Sequence, residues 1–98
     1  MVNIMTYTIR DHGLYDMHDR RIAITRGSGI YNYNNHRVAT MLGNFLFDLD
    51  NRKMMEVRGE YIYDAKDIRV GSLLDAKQSI EGKSEENLSV ALWYCFIR

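Results

Sequence analysis

The chain has 98 residues, in which 13 Lys and Arg balance 13 Asp and Glu, 46% of positions are apolar, and there are 7 Gly, no Pro and one Cys. A chain this short buries roughly 60 to 65% of its unfolded surface in one core and has no material for a second, so a single domain over residues 1–98 is expected. The lone Cys excludes an internal disulfide framework, and a net charge of zero with a pI near 6.8 gives no overall electrostatic footprint for nucleic acid, leaving only a local basic patch to be considered.

At the N-terminus Asn3, Thr6 and Thr8 interrupt the apolar residues, so the unbroken run of a secretory signal is lacking and the cytoplasm is the expected compartment. Ile4 to Arg10 (IMTYTIR) precedes Arg20 to Arg26 by the same interval that separates Leu14 from Ile30, in a segment without a turn. It reads as the second strand of a unit whose first strand is missing.

From Leu14 onward the chain matches itself without gaps at one fixed offset of sixteen positions, in segments starting at Leu14, Ile30, Leu46 and Ile62. The next column holds Tyr15, Tyr31, Phe47 and Tyr63, and the third Asp16, Asn32, Asp48 and Asp64. Three columns on come Asp19, Asn35, Asn51 and Asp67, then Arg21, Arg37, Lys53 and Arg69, then Ile22, Val38, Met54 and Val70. Upstream of the later three units, Gly27, Gly43 and Gly59 keep the same spacing.

An apolar-aromatic pair ending in Asp or Asn, with a second Asp or Asn three residues on, is turn chemistry, because these short side chains bond nearby amides and tolerate left-handed backbone. Each unit therefore reads as a β-hairpin, with positive φ expected at Asp19, Asn35, Asn51 and Asp67. A helical reading fails, since turn residues interrupt the apolar positions and Tyr, Ile, Val and Thr dominate the flanks. Isolated hairpins are marginal in water, so neighbouring units must pack on one another. The expected fold is all-β: four tandem hairpins, one per repeat, around a pseudo-fourfold axis, preferred over an open stack because closure removes free strand edges.

Beyond the units, Leu73 to Ile80 (LLDAKQSI) contains helix-tolerant residues without a clear assignment, and 81–87 (EGKSEEN) reads as a polar exposed loop. Residues 88–98 fit a helical face after a Ser84 cap through Leu88, Ala91, Leu92 and Cys95, or a fully buried strand; the aromatic content favours the strand. As a strand, Val90 to Ile97 would pair with the N-terminal segment and clasp the two chain ends together. The stretch is too short to span a bilayer as a helix, and no membrane partner is expected.

These columns resemble those of the bacterial proteins described as four-fold β-flowers. The resemblance is carried by Ile30-Tyr31-Asn32, Leu46-Phe47-Asp48 and Ile62-Tyr63-Asp64 entering the turns, and by Arg37-Val38-Ala39 and Arg69-Val70-Gly71 leaving them. It covers about residues 13 to 73 and implies short hairpin repeats around a pseudo-fourfold axis, with no activity attached. A weaker likeness is to the YD repeats of secreted shell-forming toxins. Their turns usually carry a Gly before the basic residue, which this chain replaces, and four units are too few for such a shell.

Three columns offer chemistry. Asp16, Asn32, Asp48 and Asp64 would give a ring of oxygen ligands for a hard cation such as calcium, although capping of their own turns accounts for them. Tyr15, Tyr31, Phe47 and Tyr63 would give a stacking surface for a sugar or base, against packing in the core or between hairpins. Arg21, Arg37, Lys53 and Arg69 would attract an anion, against cross-strand pairing with the turn carboxylates. His12, His18 and His36 fall in or beside turns without the close His or Cys partner of a zinc site. Cys95, among Trp93, Tyr94, Phe96 and Ile97, reads as a small buried hydrophobe with a raised pKa.

No nucleophile and base pair and no phosphate-binding Gly loop before a helix is present in the sequence, so no catalytic residue, metal or cofactor is assigned. The function expected is a noncatalytic binding or assembly module acting through homo-oligomerisation or a protein partner, through residues 88–98 or an uncovered strand edge. The alternatives are a domain binding a sugar or cation on the aromatic or acidic ring, and a small hydrolase with His12, His18 or His36 as base. Nucleic acid is not an expected partner.

Overall fold

The computed structural model describes residues 7–82 and 86–98. Among them one sheet contains β1 (Tyr7–Arg10), β2 (Gly13–Tyr15), β3 (Arg21–Arg26), β4 (Gly29–Asn32), β5 (Arg37–Leu42), β6 (Phe45–Phe47), β7 (Lys53–Arg58), β8 (Tyr61–Asp64), β9 (Arg69–Ser72) and β10 (Ile80–Glu81). Helix α1 (Leu73–Ser79) separates β9 from β10, and α2 (Glu86–Leu92) runs directly into a π-helical turn at Trp93–Ile97. The strand order is β10-β1-β2-β3-β4-β5-β6-β7-β8-β9, antiparallel throughout except for the parallel pair β1 and β10.

The turns follow from their residues. In the turn between β2 and β3 the Asp16 carbonyl accepts the Asp19 amide at 3.0 Å, and Asp19 takes a φ of 63°. Asn35, Asn51 and Asp67 repeat both features, with φ of 67°, 62° and 67°, as expected where a non-glycine must adopt the left-handed region. The other connections are two-residue turns. Gly27-Ser28, Gly43-Asn44 and Gly59-Glu60 have positive φ at the first residue only, the geometry that selects Gly there and whose twist suits an antiparallel ribbon.

Each of β3, β5, β7 and β9 carries a bulge near its start. Leu14 faces Ala23 while Tyr15 faces Arg21, which leaves Ile22 as the extra residue. The same shift leaves Val38, Met54 and Val70 unpaired in the later strands. A regular strand alternates faces, whereas the bulge lets the adjacent pairs Ile22-Ala23, Val38-Ala39 and Met54-Met55 all pack on the core.

The core lies on one face of the sheet. Leu14, Ile30, Leu46 and Ile62 are fully buried there, flanked by Ile9, Thr25, Met41 and Val57. The helical segment covers this face with Ala76, Val90, Ala91, Leu92 and Trp93. Ser72 caps α1: its Oγ accepts the Asp75 amide, and Asp75 Oδ2 accepts the Ser72 amide in return. Helix α1 touches both sheet edges, β9 and β10, and so carries the chain from one to the other.

The structure corrects three expectations. The protein is mostly β and not all-β. Residues 88–98 are helical, because Val90 to Trp93 are enclosed on all sides and a helix buried that way loses the polar stripe that would mark it in sequence. The partner of β1 at the chain end is therefore the short β10, inside what read as the polar loop 81–87 at Glu81, and no C-terminal strand clasps it. Residues 4–6 of the expected N-terminal strand, the Ser84 cap and the middle of that loop lie outside the described residues.

Candidate functional site

The acidic column is used by its own turns. Asp16 Oδ1 accepts the His18 and Arg20 amides at 2.9 and 3.0 Å. Asn32 does the same for Asn34 and His36, Asp48 for Asp50 and Arg52, and Asp64 for Lys66 and Ile68. The amides of Arg20 and then His18, over an opposing desolvation, hold the Asp16 carboxyl below its ordinary range. Among the described residues no three His, Cys, Asp or Glu side chains come together as a cation site.

The aromatic column lies on the sheet face opposite the core, because each member follows a buried residue in its strand. Tyr15, Tyr31, Phe47 and Tyr63 are half-buried there. Three of the rings are covered by arginines that the six matched columns did not include: Arg10 over Tyr15 at 4.0 Å, Arg26 over Tyr31 at 4.9 Å and Arg58 over Tyr63 at 3.8 Å. The same guanidiniums donate to Asp19, Asn35 and Asp67 respectively. Each stack joins one hairpin to the next, because the arginine ends the strand before the two-residue turn and the ring begins the hairpin after it. The repeat offset, extended upstream from Tyr15 to Arg10, would have revealed this column.

The basic column shares that outer face, since Arg21, Arg37, Lys53 and Arg69 stand directly opposite Tyr15, Tyr31, Phe47 and Tyr63 in the register. Its partners differ from the expected turn carboxylates: Lys53 lies near the Phe45 ring and pairs with Glu56 at 3.2 Å, and Arg69 lies over Tyr61 at 4.7 Å. The cause is register, which places residues 45 and 61 diagonally beside 53 and 69 while the carboxylates bend back into their turns.

One hairpin breaks the pattern. Where the other units have Arg10, Arg26 and Arg58, the third has Leu42, and Phe47 replaces the tyrosine. Phe45 stands where the first two units have Gly13 and Gly29, whose Cβ positions would come within 3.0 and 2.8 Å of the neighbouring Tyr15 and Tyr31 rings. Leu42 faces Phe45 across β5 and β6, and the Phe45 and Phe47 centroids are 6.3 Å apart. Leu42 is 54% exposed and Phe45 39%. The outer face thus carries two columns of cations around one apolar patch.

The remaining candidates are plainer. His12, His18 and His36 are exposed turn residues. Cys95 lines a cleft of about 440 Å³ with Val38, Met54, Tyr94 and Phe96, and burial pushes its thiol up to about 11. A second cleft, of about 600 Å³ between α1, β10 and α2, is lined by Leu73, Ala76, Ile80 and Ser89, and Lys77 and Glu86 on its wall pair at 3.1 Å. No helix among the described residues is long and apolar enough to cross a membrane. Neither a family model, nor a curated protein, nor a solved structure matches this chain.

Proposed function

We propose that the protein is a noncatalytic binding module that docks a protein partner on the outer face of its sheet, centred on Leu42, Phe45 and Phe47. The observation that carries this reading is the coordinated change in the third hairpin. Three columns that elsewhere hold an arginine, a glycine or tyrosine, and a tyrosine all turn apolar at adjoining positions on the same solvent-facing surface. Exposed aromatic and aliphatic side chains ringed by charge are the usual make-up of an interface centre.

We infer further that the four hairpins are copies of one unit set around a pseudo-fourfold axis, as the β-flower resemblance implies. The recurrence of turn bonds, positive φ and bulges at the interval of the sequence repeat supports this arrangement. Within residues 88–98 Val90 to Trp93 are consumed by the core, which leaves the half-buried Tyr94 to Ile97 as the part of that segment open to assembly. A sugar or base stacking on the aromatic ring finds three of the four rings occupied by arginine.

Selection from a displayed peptide library tests the docking reading, using the full chain and a variant carrying Leu42→Arg and Phe45→Gly. Both residues are those the first two units already hold at these positions. Peptides enriched on the parent and lost on the variant are expected; peptides held equally by both, or no enrichment at all, overturn the reading.

A further inference from the structure

The outer face is strongly asymmetric in charge although the chain is neutral. Arg21, Arg37, Lys53 and Arg69 form one exposed column across it, and Arg10, Arg26 and Arg58 form another, nearer the two-residue turns. Against these cations the same face holds the carboxylates of Asp19, Asp67 and Glu56. A second copy of this chain docked face to face would set these columns against each other, which like-charge repulsion opposes.

A polyphosphate would match the unbroken column of Arg21, Arg37, Lys53 and Arg69, but it would leave Leu42, Phe45 and Phe47 uncovered and meet Leu42 in place of a cation along the other column. The pattern that complements an apolar patch at Leu42, Phe45 and Phe47 beside a column of cations is a polypeptide with carboxylates flanking an apolar side chain. Resting on the docking reading above, we propose that the partner recognised by this face is an acidic protein segment that seats a Leu or Phe anchor on the patch and sets Asp or Glu side chains against Arg37, Lys53 and Arg69. The exposed strand face offers its side chains in rows about one strand spacing apart, so an extended or helical acidic segment spans the patch and reaches the cations Arg37, Lys53 and Arg69 on β5, β7 and β9.

The test is fluorescence anisotropy of the full chain with labelled twelve-residue peptides of defined composition: Asp/Glu-rich with a central Leu and Phe, the same with those two residues as Ser, a neutral Ser/Gly peptide with the Leu and Phe kept, and a twelve-nucleotide thymidine strand. The acidic peptide with its anchor is expected to bind at least about tenfold more tightly than any of the other three. Its binding should weaken as salt rises from 50 to 200 mM. Leu42→Arg is expected to erase the preference for the anchored over the serine peptide, and Arg37→Glu with Arg69→Glu to weaken both acidic peptides by about tenfold, with unchanged circular dichroism as the control for folding. Equal binding of the neutral anchored peptide overturns the acidic partner and leaves the docking reading standing. Tighter binding of the thymidine strand overturns both, as does binding of no peptide.

Discussion

The Trp93 indole lies on Gly71: a Cβ at position 71 would come within 2.5 Å of ring carbon Cη2. The sheet positions matched to Gly71 are Ala23, Ala39 and Met55, all fully buried, so the missing side chain is specific to the strand on which the tryptophan rests. Gly71→Ala is expected to destabilise the fold by about 1 to 3 kcal/mol through overpacking, read as a lower urea midpoint at unchanged slope. Combining it with Trp93→Leu should recover part of that loss, since the two positions share one contact and their effects are not additive.

Asn32 accepts two backbone amides in its turn, and removing them exposes both donors. Asn32→Ala is expected to cost about 1 kcal/mol by chemical denaturation, the usual loss for a side chain that caps backbone N–H groups. Asp16, in the matching position, adds a pH dependence. Its carboxyl is held below the ordinary value of 3.8, so its charged form favours the folded state. That contribution is complete above the unfolded pKa and disappears as pH falls through the lower folded value. Asp16→Asn should keep the turn, as Asn32 does, and flatten the loss of stability as pH falls below about 4.

Asn51 has a φ of 62° and, unlike Asp19, Asn35 and Asp67, no arginine donating to it, because Leu42 occupies that place. Its backbone strain is therefore separable from side-chain pairing. Asn51→Gly is expected to change stability by less than about 0.5 kcal/mol, and Asn51→Val to destabilise by about 1 to 2 kcal/mol, because a β-branched residue is poorly accommodated in the left-handed region. Thermal denaturation of the two variants beside the parent reads the difference.

The hairpins were legible because their determinants are local: a carboxylate or amide side chain reaches amides two and four residues on, and only a few residue types accept positive φ. The C-terminal helix was not, because its signal is tertiary. Val90 to Trp93 are apolar on every side since the sheet, α1 and the rest of the segment enclose them, and such a run reads equally as a buried strand. Gly71 carried the only sequence trace of that packing, as the small member of an otherwise filled column. The arginine stacks fell outside the matched block because Arg10, Arg26 and Arg58 precede the two-residue turns, and Leu42 breaks their column.

Cys95 shows what burial does to a thiol. Its pKa, raised to about 11 by desolvation against the attraction of Arg98, leaves little thiolate at pH 8. The higher intrinsic nucleophilicity of a high-pKa thiolate offsets part of that deficit. The native protein is expected to react with a disulfide reagent at least about tenfold more slowly than the urea-unfolded chain at pH 8. A native rate equal to the unfolded one would place the thiol in open solvent.

Leu42 gives the sharpest separation of stability from recognition. More than half exposed, it contributes little burial, while an arginine in its place would lie beside Phe47 and Asn51 as Arg26 lies beside Tyr31 and Asn35. An exposed cation over a ring contributes roughly 0.5 to 1 kcal/mol. Leu42→Arg, alone or with Phe47→Tyr, is therefore expected to leave the midpoint of denaturation unchanged or raise it by up to that amount. That outcome would support the docking reading, because packing within the chain would then not account for the leucine. Should Leu42→Arg instead lower stability by more than about 1 kcal/mol, the leucine is a structural residue and the third hairpin's departure from the pattern ceases to support a docking face.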